Sequence, residues 1–586
     1  MLQDSDLLAL QEVRTKVDAA YAAWQKYRTF SQEQIDTVVE AMASAARLSA
    51  QHLAELAASE TGYGNARDKL AKNLLAADLL PRTMRGMKTV GILRDDAEKK
   101  VVEIGVPLGV IAAILPTTNP TSTAIYKILI SLKAGNGIVL SPHPRAKKCT
   151  CETAAILADA AVRAGAPEGI IQCIDSATIE ATNELMRHKR TAAILSTGGA
   201  GIVKAAYSSG KPAFGVGPGN VPVLIEKTAD LAEAVAKVVS GKSFDYGTLC
   251  SSEQAIVAES SLREKITAEL KAQKAFLCDE KQKQALAKLL LIPPMWSVNP
   301  KCVGQPAPKI AEMAGFTVPP DTSILVAEVE GVGKDHPLSA EKLSPVLSLF
   351  FVKDFAAALD TCEAILRFGG LGHTCGIYSN DDAKIREFAV RMPAMRVLCN
   401  TPTPQGSVGI TTNLFPSMTL GCGAMAGNST GDNISPLNLI NVKRLAYAVR
   451  KPEEAFDIPA LRASATNVDK QMVASAVERY LNQRGVPVTS KKSDVVSDVV
   501  SNVVADVVDQ FLSAKRAPTP MSVVQTPPPA PPPPPAVTIV DFVCENDVQT
   551  AIRKSQKIYI GPKTIVTPSA RDLAAPHDTL VHAKRT

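Results

Sequence analysis

The spacing of apolar residues divides the chain into regions with different predicted structure. From Asp4 to about Leu80, apolar residues recur every three or four positions, which predicts amphipathic helices. From residue 101 to 240, short runs that are apolar on both faces alternate with helical stretches. That alternation is typical of βαβ units around a buried parallel sheet, so residues 1–240 are predicted to form helices and a nucleotide-binding domain. A second alternating region follows over 241–415, and 416–450 returns to the core.

Beyond residue 450 the pattern changes, because Val, Ser, Lys and Pro dominate and no long core-forming pattern remains. Residues 451–492 and 513–540 are predicted linkers, and the second contains the proline-rich run 526–535. Between them, Ser493–Leu512 repeats a four-residue unit that contains a pair of valines. A step of four residues turns a helix by about 400°, so the valines form one slowly drifting stripe beside Asp494, Asp498 and Asp506. We predict an amphipathic helix at 493–512 and a second short docking segment at 541–586, within a largely disordered tail.

Composition narrows the class of protein. The 586 residues carry a net charge of +6, which is too weak a field to indicate a nucleic-acid partner. The longest apolar run, Val106–Leu115, is half of what a membrane span requires, so we expect no membrane partner. Aromatic residues are only 4% of the chain and apolar residues 46%, which favours aliphatic α/β cores. The 11 cysteines form no CxxC pair or Cys/His cluster, so neither a metal site nor a disulfide framework is expected, and the location is a reducing cytosol.

One cysteine stands in surroundings that suit a nucleophile. Cys250 lies in the polar stretch SFDYGTLCSSE, Ser243 to Glu253, between a helix-like and a strand-like segment. Cys173, by contrast, lies inside the apolar run IIQCI, as a packing cysteine does. Cys250 is therefore a candidate catalytic residue, and an inert packing role is the alternative.

Six segments together resemble the aldehyde dehydrogenase superfamily, specifically its CoA-acylating acetaldehyde and propionaldehyde dehydrogenases, in the order of that family. Besides the Cys250 segment they are ETGYGNARDK at 60–69, LPTTNPT at 115–121, LSTGG at 195–199, FGVGPGNVP at 214–222 and GGLGHT at 369–374. The resemblance covers about 450 residues and implies an α/β fold with two doubly wound domains. It also implies an oligomerisation arm and a homo-dimer or homo-tetramer.

The resemblance implies a reaction that uses NAD. The thiolate of Cys250 adds to an aldehyde carbonyl, and the amide of Asn119 and the backbone N–H of Cys250 stabilise the oxyanion. Transfer of hydride to NAD then leaves a thioester on Cys250. Val216 occupies the position at which hydrolytic relatives carry a glutamate that activates water. Without that base, the CoA thiol is the expected attacking group, and Glu253 or Glu341 as a substitute base is the alternative.

The remaining site residues follow from the same resemblance. Those at 141–143 match the adenine ribose site, the turn at 197–199 precedes a helix and matches the pyrophosphate site, and Glu341 matches the glutamate at the nicotinamide ribose. An ordinary turn and a solvated loop carboxylate are the alternatives. His373 is an additional candidate, although histidines in Gly-rich loops more often order the loop. The predicted cofactor contacts are Thr117, Thr118, Ser141, Pro142, His143, Thr197, Gly198, Gly199, Gly217, Pro218, Gly219 and Glu341.

The tail resembles the encapsulation peptides of bacterial microcompartment enzymes, and Lys557–Leu573 resembles the tails of other microcompartment proteins. This implies shell proteins or fellow cargo enzymes as partners, and a location in the bacterial cytoplasm inside a microcompartment. Packing of the helix on its own enzyme is an alternative, whereas membrane-surface binding would favour a basic polar face.

The predicted function is the conversion of a short aldehyde, propionaldehyde or acetaldehyde, with CoA and NAD to acyl-CoA and NADH. A hydrolytic dehydrogenase that releases the free acid is the first alternative. An inactive adaptor with a dehydrogenase fold is the second.

Overall fold

A computed structural model divides the chain into two compact units, Met1–Asp457 and Ile458–Thr586. The structure describes residues 4–293, 297–456, 470–483, 539–554, 556–577 and 579–582. Strands are numbered here in chain order, and helices are identified by their ranges.

The first unit alternates helices and strands along most of its length. Its strands are β1 Gly91–Asp96, β2 Val101–Pro107, β3 Val110–Ile114, β4 Gly137–Ser141, β5 Ile171–Cys173, β6 Thr191–Thr197, β7 Ala213–Val216, β8 Val221–Ile225, β9 Glu253–Glu259, β10 Phe276–Leu277, β11 Leu291–Ile292, β12 Ser297–Val298, β13 Leu325–Glu328, β14 Val346–Val352, β15 Gly372–Tyr378, β16 Ala394–Cys399 and β17 Ile440–Ala446. Its helices are Ser5–Tyr27, Gln32–Thr61, Ala66–Leu74, Leu80–Met84, Pro120–Lys133, Lys147–Arg163, Ile179–Arg187, Ala200–Tyr207, Leu231–Ser243, Arg263–Ala272, Glu280–Leu290, Ala307–Met313, Phe355–Gly369, Asp382–Arg391 and Thr403–Ser407, with a π-helical turn at Leu75–Leu79.

The first sheet is parallel, with strand order β5-β4-β3-β6-β7. Every residue of β3 and β4 is buried, which explains why these runs are apolar on both faces. The helix Pro120–Lys133 is buried along its whole length and packs among the other helices of this core. From β3 the strand order continues in both directions, and ligands bind at such a switch point, outside the carboxyl ends of the strands.

The second sheet is also parallel, with order β10-β13-β14-β9-β8-β15-β16. The chain changes sheets between β7 and β8, because the fully buried β8 pairs with β9 and β15. That change comes earlier in the chain than the predicted boundary at residue 240. A third sheet, antiparallel β1-β2-β17, pairs the returning segment with residues 101–107. The predicted α/β class with two doubly wound sheets is confirmed, and the oligomerisation role of the arm stays a prediction.

The second unit contains the helix Lys470–Gln483 and a small parallel βαβαβ arrangement. The strands β18 Ile539–Val543, β19 Ile558–Val566 and β20 Leu580–His582 lie in that order, joined by the helices Glu545–Arg553 and Pro568–Ala574. A small core fills the space between sheet and helices; its buried members are Val543, Val548, Ile560, Ala570 and Ala574. The predicted docking segment at 541–586 therefore contains a folded arrangement. The predicted helix at 493–512 and the proline-rich linker lie outside the described residues.

Within the described ranges, no helix has both the length and the apolar character needed to cross a bilayer. In the same ranges, no group of three or more His, Cys, Asp or Glu side chains is arranged to hold a metal ion.

Gly372, which begins β15 beside His373, provides a test of the packing between β15 and the loop around Cys422. Its φ is +74°, and an added Cβ would lie 1.8 Å from the carbonyl oxygen of Cys422. Gly210 has a similar φ of +81° but open space around it. We expect Gly372→Ala to cost about 3 kcal/mol or more, because backbone strain and steric overlap add, and Gly210→Ala only about 1 kcal/mol. Thermal melting checks this, and equal melting temperatures for the two variants would contradict the packing described here.

Candidate active site

A cavity of about 680 Å³ opens at the carboxyl ends of β3, β4 and β6, the position expected from the strand order. It combines loops that follow strands of the first sheet with the Cys250 loop and the Glu341 loop. The predicted site residues that line it are Thr117, Thr118, Asn119, Ser141, Pro142, His143, Thr197, Gly198, Gly199, Gly217, Pro218, Cys250 and Glu341. Gly219 and His373 do not line the cavity, and both touch residues that do.

His373 lies directly against the candidate nucleophile. Its Nε2 atom is 3.2 Å from Sγ of Cys250, and its Nδ1 atom is 3.0 Å from Oγ1 of Thr374. Burial, with a smaller contribution from the charge of Arg396, lowers the pKa of His373 to about 3. The imidazole is therefore neutral in the resting site at physiological pH, and its low pKa makes it a weak base there.

The thiol of Cys250 is also neutral in the resting site. The residue is only partly screened from solvent, yet its surroundings raise the pKa of the thiol to about 12. Burial is the main cause, and the charge of Glu341 adds to it. Cys250 and His373 thus form a pair that is neutral in the resting site, with Nε2 of His373 within 3.2 Å of the sulfur.

Asn119 is the N-cap of the helix Pro120–Lys133 and is held by side-chain contacts. Its Oδ1 atom accepts a hydrogen bond of 2.6 Å from Nζ of Lys72, and its Nδ2 atom donates one of 3.0 Å to Oγ1 of Thr118. Lys72 also forms an ion pair with Asp245 and donates to Oγ1 of Thr248 at 3.3 Å. Burial lowers the pKa of Lys72 to about 8, although the charge of Asp245 opposes that shift.

Sequence analysis missed Lys72 and Asp245. Lys72 stands three residues after Lys69, the last residue of the segment ETGYGNARDK, so the two lysines share a helix face. Asp245 lies within the Cys250 segment, residues 243–253. Two lysines at helical spacing and a carboxylate in the Cys250 segment were the sequence signals from which these two residues could have been identified.

Glu341 approaches the site through Gly219. Its Oε1 atom accepts a hydrogen bond of 3.1 Å from the backbone N–H of Gly219, and burial raises its pKa to about 8. An added Cβ at Gly219 would lie 2.2 Å from the carbonyl oxygen of Cys250, so only glycine fits between the two loops. At neutral pH the Glu341 carboxyl is mostly protonated, which makes it a poor base for activating water.

Glu253 does not reach the cavity. It is fully buried, and its Oε1 atom accepts a hydrogen bond of 2.7 Å from the backbone N–H of Thr403. Val216, in contrast, lines the cavity at the end of β7. The wall of the cavity is thus apolar at residue 216, the position that sequence analysis aligned with the glutamate of hydrolytic dehydrogenases.

The far side of the cavity carries polar groups suited to a nucleotide. Oγ of Ser141 is 2.8 Å from Oγ1 of Thr182, and both residues line the cavity. The helix Ala200–Tyr207 begins directly after Gly199, so its free N–H groups lie beside the predicted pyrophosphate site. Oγ1 of Thr197 is buried without a hydrogen-bond partner among the described residues.

The chain belongs to the aldehyde dehydrogenase family. The sequence model named "Aldehyde dehydrogenase family" matches residues 5–284. The chain is also 50% identical to an acetylating aldehyde dehydrogenase from Geobacillus thermoglucosidasius, covering 77% of this chain and 99% of that one, with a TM-score of 0.76.

Within that family, the chain is similar to acylating enzymes. It is 44% identical over 440 residues to the bifunctional aldehyde-alcohol dehydrogenase AdhE of Escherichia coli, which covers 74% of this chain and 49% of that protein. The chain thus spans about half the length of the first curated relatives it matches. A propionaldehyde dehydrogenase from the fucose utilisation microcompartment of Clostridium phytofermentans has 27% identity and a TM-score of 0.68, covering 74% of this chain and 97% of that one. The predicted resemblance to the CoA-acylating branch is confirmed.

The neutral Cys250–His373 pair makes a prediction about thiol reactivity. Because the pKa of Cys250 is raised to about 12, its thiolate fraction should rise about tenfold per pH unit from pH 7 to 10. Alkylation of Cys250 by iodoacetamide, followed by peptide mass spectrometry with Cys250→Ala as the blank, should show this slope. A plateau above pH 8 would indicate a depressed pKa and contradict the account.

Proposed function

We propose that the first unit oxidises an aldehyde with NAD and CoA to an acyl-CoA through a thioester on Cys250. The observation that carries this proposal is the 3.2 Å contact between Sγ of Cys250 and Nε2 of His373, at a cavity that Asn119 also lines. The contact pairs a nucleophile with a base, and Asn119 supplies a hydrogen-bond donor for the oxyanion.

The residues act in a defined order. His373 accepts the thiol proton as Cys250 attacks the aldehyde carbonyl, and the oxygen develops negative charge toward the Asn119 amide and the backbone N–H of Cys250. Removal of one such donor typically costs about 10²–10³ in kcat. His373 is thereby assigned as the proton acceptor, a stronger role than sequence analysis gave it.

The cavity fits NAD, which supplies the hydride acceptor when bound. The unpartnered hydroxyl of Thr197 and the N-terminus of the helix Ala200–Tyr207 provide donors for its phosphates. Ser141 and His143 would hold the adenine ribose, and Glu341 the nicotinamide ribose. The remaining contacts come from the predicted residues that line the same cavity.

The wall of the cavity supports release of the thioester by CoA and not by water. Val216 offers no base, Glu341 is mostly protonated at neutral pH, and Glu253 is turned away. A CoA thiol is intrinsically nucleophilic and needs less assistance than water does. The product is then an acyl-CoA.

The CoA requirement separates this proposal from its alternatives. With propionaldehyde or acetaldehyde, NADH formation by the full chain should depend on CoA and be lost in Cys250→Ala. Equal rates with and without CoA, with accumulation of free acid, would support a hydrolytic enzyme. Absence of any activity in the wild-type chain would support the adaptor.

Val216 offers a sharper test of the same point. We expect Val216→Glu to place a carboxylate against the thioester and to raise formation of free acid without CoA by about tenfold or more, since general-base catalysis typically contributes about 10²–10⁴. In Val216→Gln the side chain is as large as glutamate but provides no base, so this variant should form no more acid than the wild type. Chromatographic measurement of the acid decides, and equal acid formation by the two variants would contradict this role of Val216.

We further propose that the second unit, which includes the segment 493–512, directs the enzyme to a microcompartment, and that the enzyme is a homo-dimer or homo-tetramer. The valine-striped segment 493–512 and the relative from the fucose utilisation microcompartment support this. The choice of a two- or three-carbon aldehyde rests on the same support.

Deletion of residues 458–586 tests the targeting proposal. Because every site residue lies in the first unit, we expect turnover to be unchanged. Co-purification with microcompartment shells should be lost. Shells that still retain the truncated enzyme would contradict the proposal.

A further inference from the structure

Lys72 is a buried lysine that lies behind the site and touches two of its segments, the one that carries Asn119 and the one that carries Cys250. It belongs to the helix Ala66–Leu74 and is only 1% exposed. Its Nζ atom donates to Oδ1 of Asn119 at 2.6 Å and to Oγ1 of Thr248 at 3.3 Å, and it pairs with the carboxylate of Asp245. Lys72 does not line the cavity, so its effect on the reaction must pass through a neighbour.

We propose that Lys72 is a positioning residue that fixes the amide of Asn119 with its N–H groups, and not its carbonyl oxygen, facing the reacting carbonyl. The proposal rests on the oxyanion-binding role proposed for Asn119 above.

The argument begins with the two ends of the amide. They are nearly equal in size, so a 180° rotation exchanges a donor for an acceptor at little steric cost. An ammonium group has three donors and no acceptor, so it can bind only the oxygen end. The 2.6 Å contact is a charge-assisted hydrogen bond, which is stronger than a neutral one.

With its oxygen bound to Lys72, the Asn119 amide has its NH₂ group at the opposite end, where it can only donate hydrogen bonds. One N–H of Asn119 donates to Oγ1 of Thr118 at 3.0 Å. The second N–H has no acceptor among the described residues, and Asn119 lines the cavity. A rotated amide would present its oxygen to the developing oxyanion, which replaces attraction by repulsion.

Asp245 allows the ammonium to stay charged in this buried place. Its carboxylate also accepts from Nζ of Lys69 at 3.1 Å, from Oγ1 of Thr248 at 2.6 Å and from the backbone N–H of Asn65 at 2.8 Å. A buried ammonium without a partner would be expensive, whereas a paired and hydrogen-bonded one is tolerated.

The backbone at Asp245 indicates that this placement is enforced by its surroundings. Asp245 has a φ of +46°, in the left-handed region that non-glycine residues rarely adopt. Strain of that kind persists where the surrounding contacts require it, and it occurs most often at functional sites. Because Asp245 precedes Cys250 by five residues, the loop that carries the nucleophile also holds the lysine that orients Asn119.

A double-mutant cycle tests the proposal through turnover of the full chain. Lys72→Met should slow the single-turnover formation of NADH from aldehyde by about ten- to a hundredfold. This loss is no larger than the smallest loss, about a hundredfold, that is typical when an oxyanion donor is removed entirely. The KM for NAD should stay nearly constant. In the Asn119→Ala background the same substitution should cost less than about twofold, because coupled residues are not additive. Equal costs in both backgrounds would overturn the proposal.

Matched variants separate orientation from general damage to the site. Lys69 also pairs with Asp245, but it donates to the backbone carbonyl of Thr118 at 3.0 Å and not to the side-chain amide of Asn119. The loss in Lys69→Met should therefore be smaller and should persist in the Asn119→Ala background. Lys72→Arg keeps a donor-only cation and should restore part of the rate. Alkylation of Cys250 by iodoacetamide forms no oxyanion, so Lys72→Met should leave its rate unchanged; a parallel loss would overturn the proposal.

Neutron diffraction gives a readout that does not need turnover. In the wild type, the Nδ2 deuterons of Asn119 should face Thr118 and the cavity, with the oxygen facing Lys72. In Lys72→Met the amide should rotate or occupy both orientations. Deuterons facing Lys72 in the wild type, or an unchanged amide orientation in Lys72→Met, would overturn the proposal about Lys72. This readout does not depend on turnover. A wild-type activity without CoA dependence would instead overturn the proposed function.

Discussion

Burial at the junction of two parallel sheets is the constraint on which the site depends, because it disfavours every charged form there. It raises the pKa of Cys250 to about 12 and of Glu341 to about 8, and it lowers the pKa of His373 to about 3. Cys250, Glu341 and His373 are therefore mostly uncharged in the resting site. In the proposed mechanism, negative charge forms as the sulfur attacks, and the Asn119 amide and the backbone N–H of Cys250 are the donors that stabilise it.

Residues behind the cavity allow its loops to pack closely and compensate the charges buried there. Gly219 lets the Glu341 and Cys250 loops approach, and Lys72 with Asp245 supplies one compensated ion pair behind Asn119. Apolar Val216 keeps a water-activating base out of the wall.

Much of the fold and site could be predicted from the sequence, because the signals are local. Runs such as β3 and β4 are apolar on both faces, and the Cys250, Asn119 and Thr197–Gly199 segments keep their order along the chain. What escaped prediction depends on contacts between distant segments. His373 meets Cys250 across 123 residues, and Lys72 meets Asp245 across 173. The small βαβαβ arrangement near the C-terminus was missed because one of its strands has only three residues and its core is small.

The central claim is that a thioester on Cys250 persists until CoA attacks it. Intact-protein mass spectrometry tests this claim most directly. Incubation with propionaldehyde and NAD but no CoA should leave a propionyl adduct on Cys250, with about one NADH formed per site. Addition of CoA should discharge the adduct as propionyl-CoA. Continued NADH formation without CoA, with free propionate and no lasting adduct, would contradict the account.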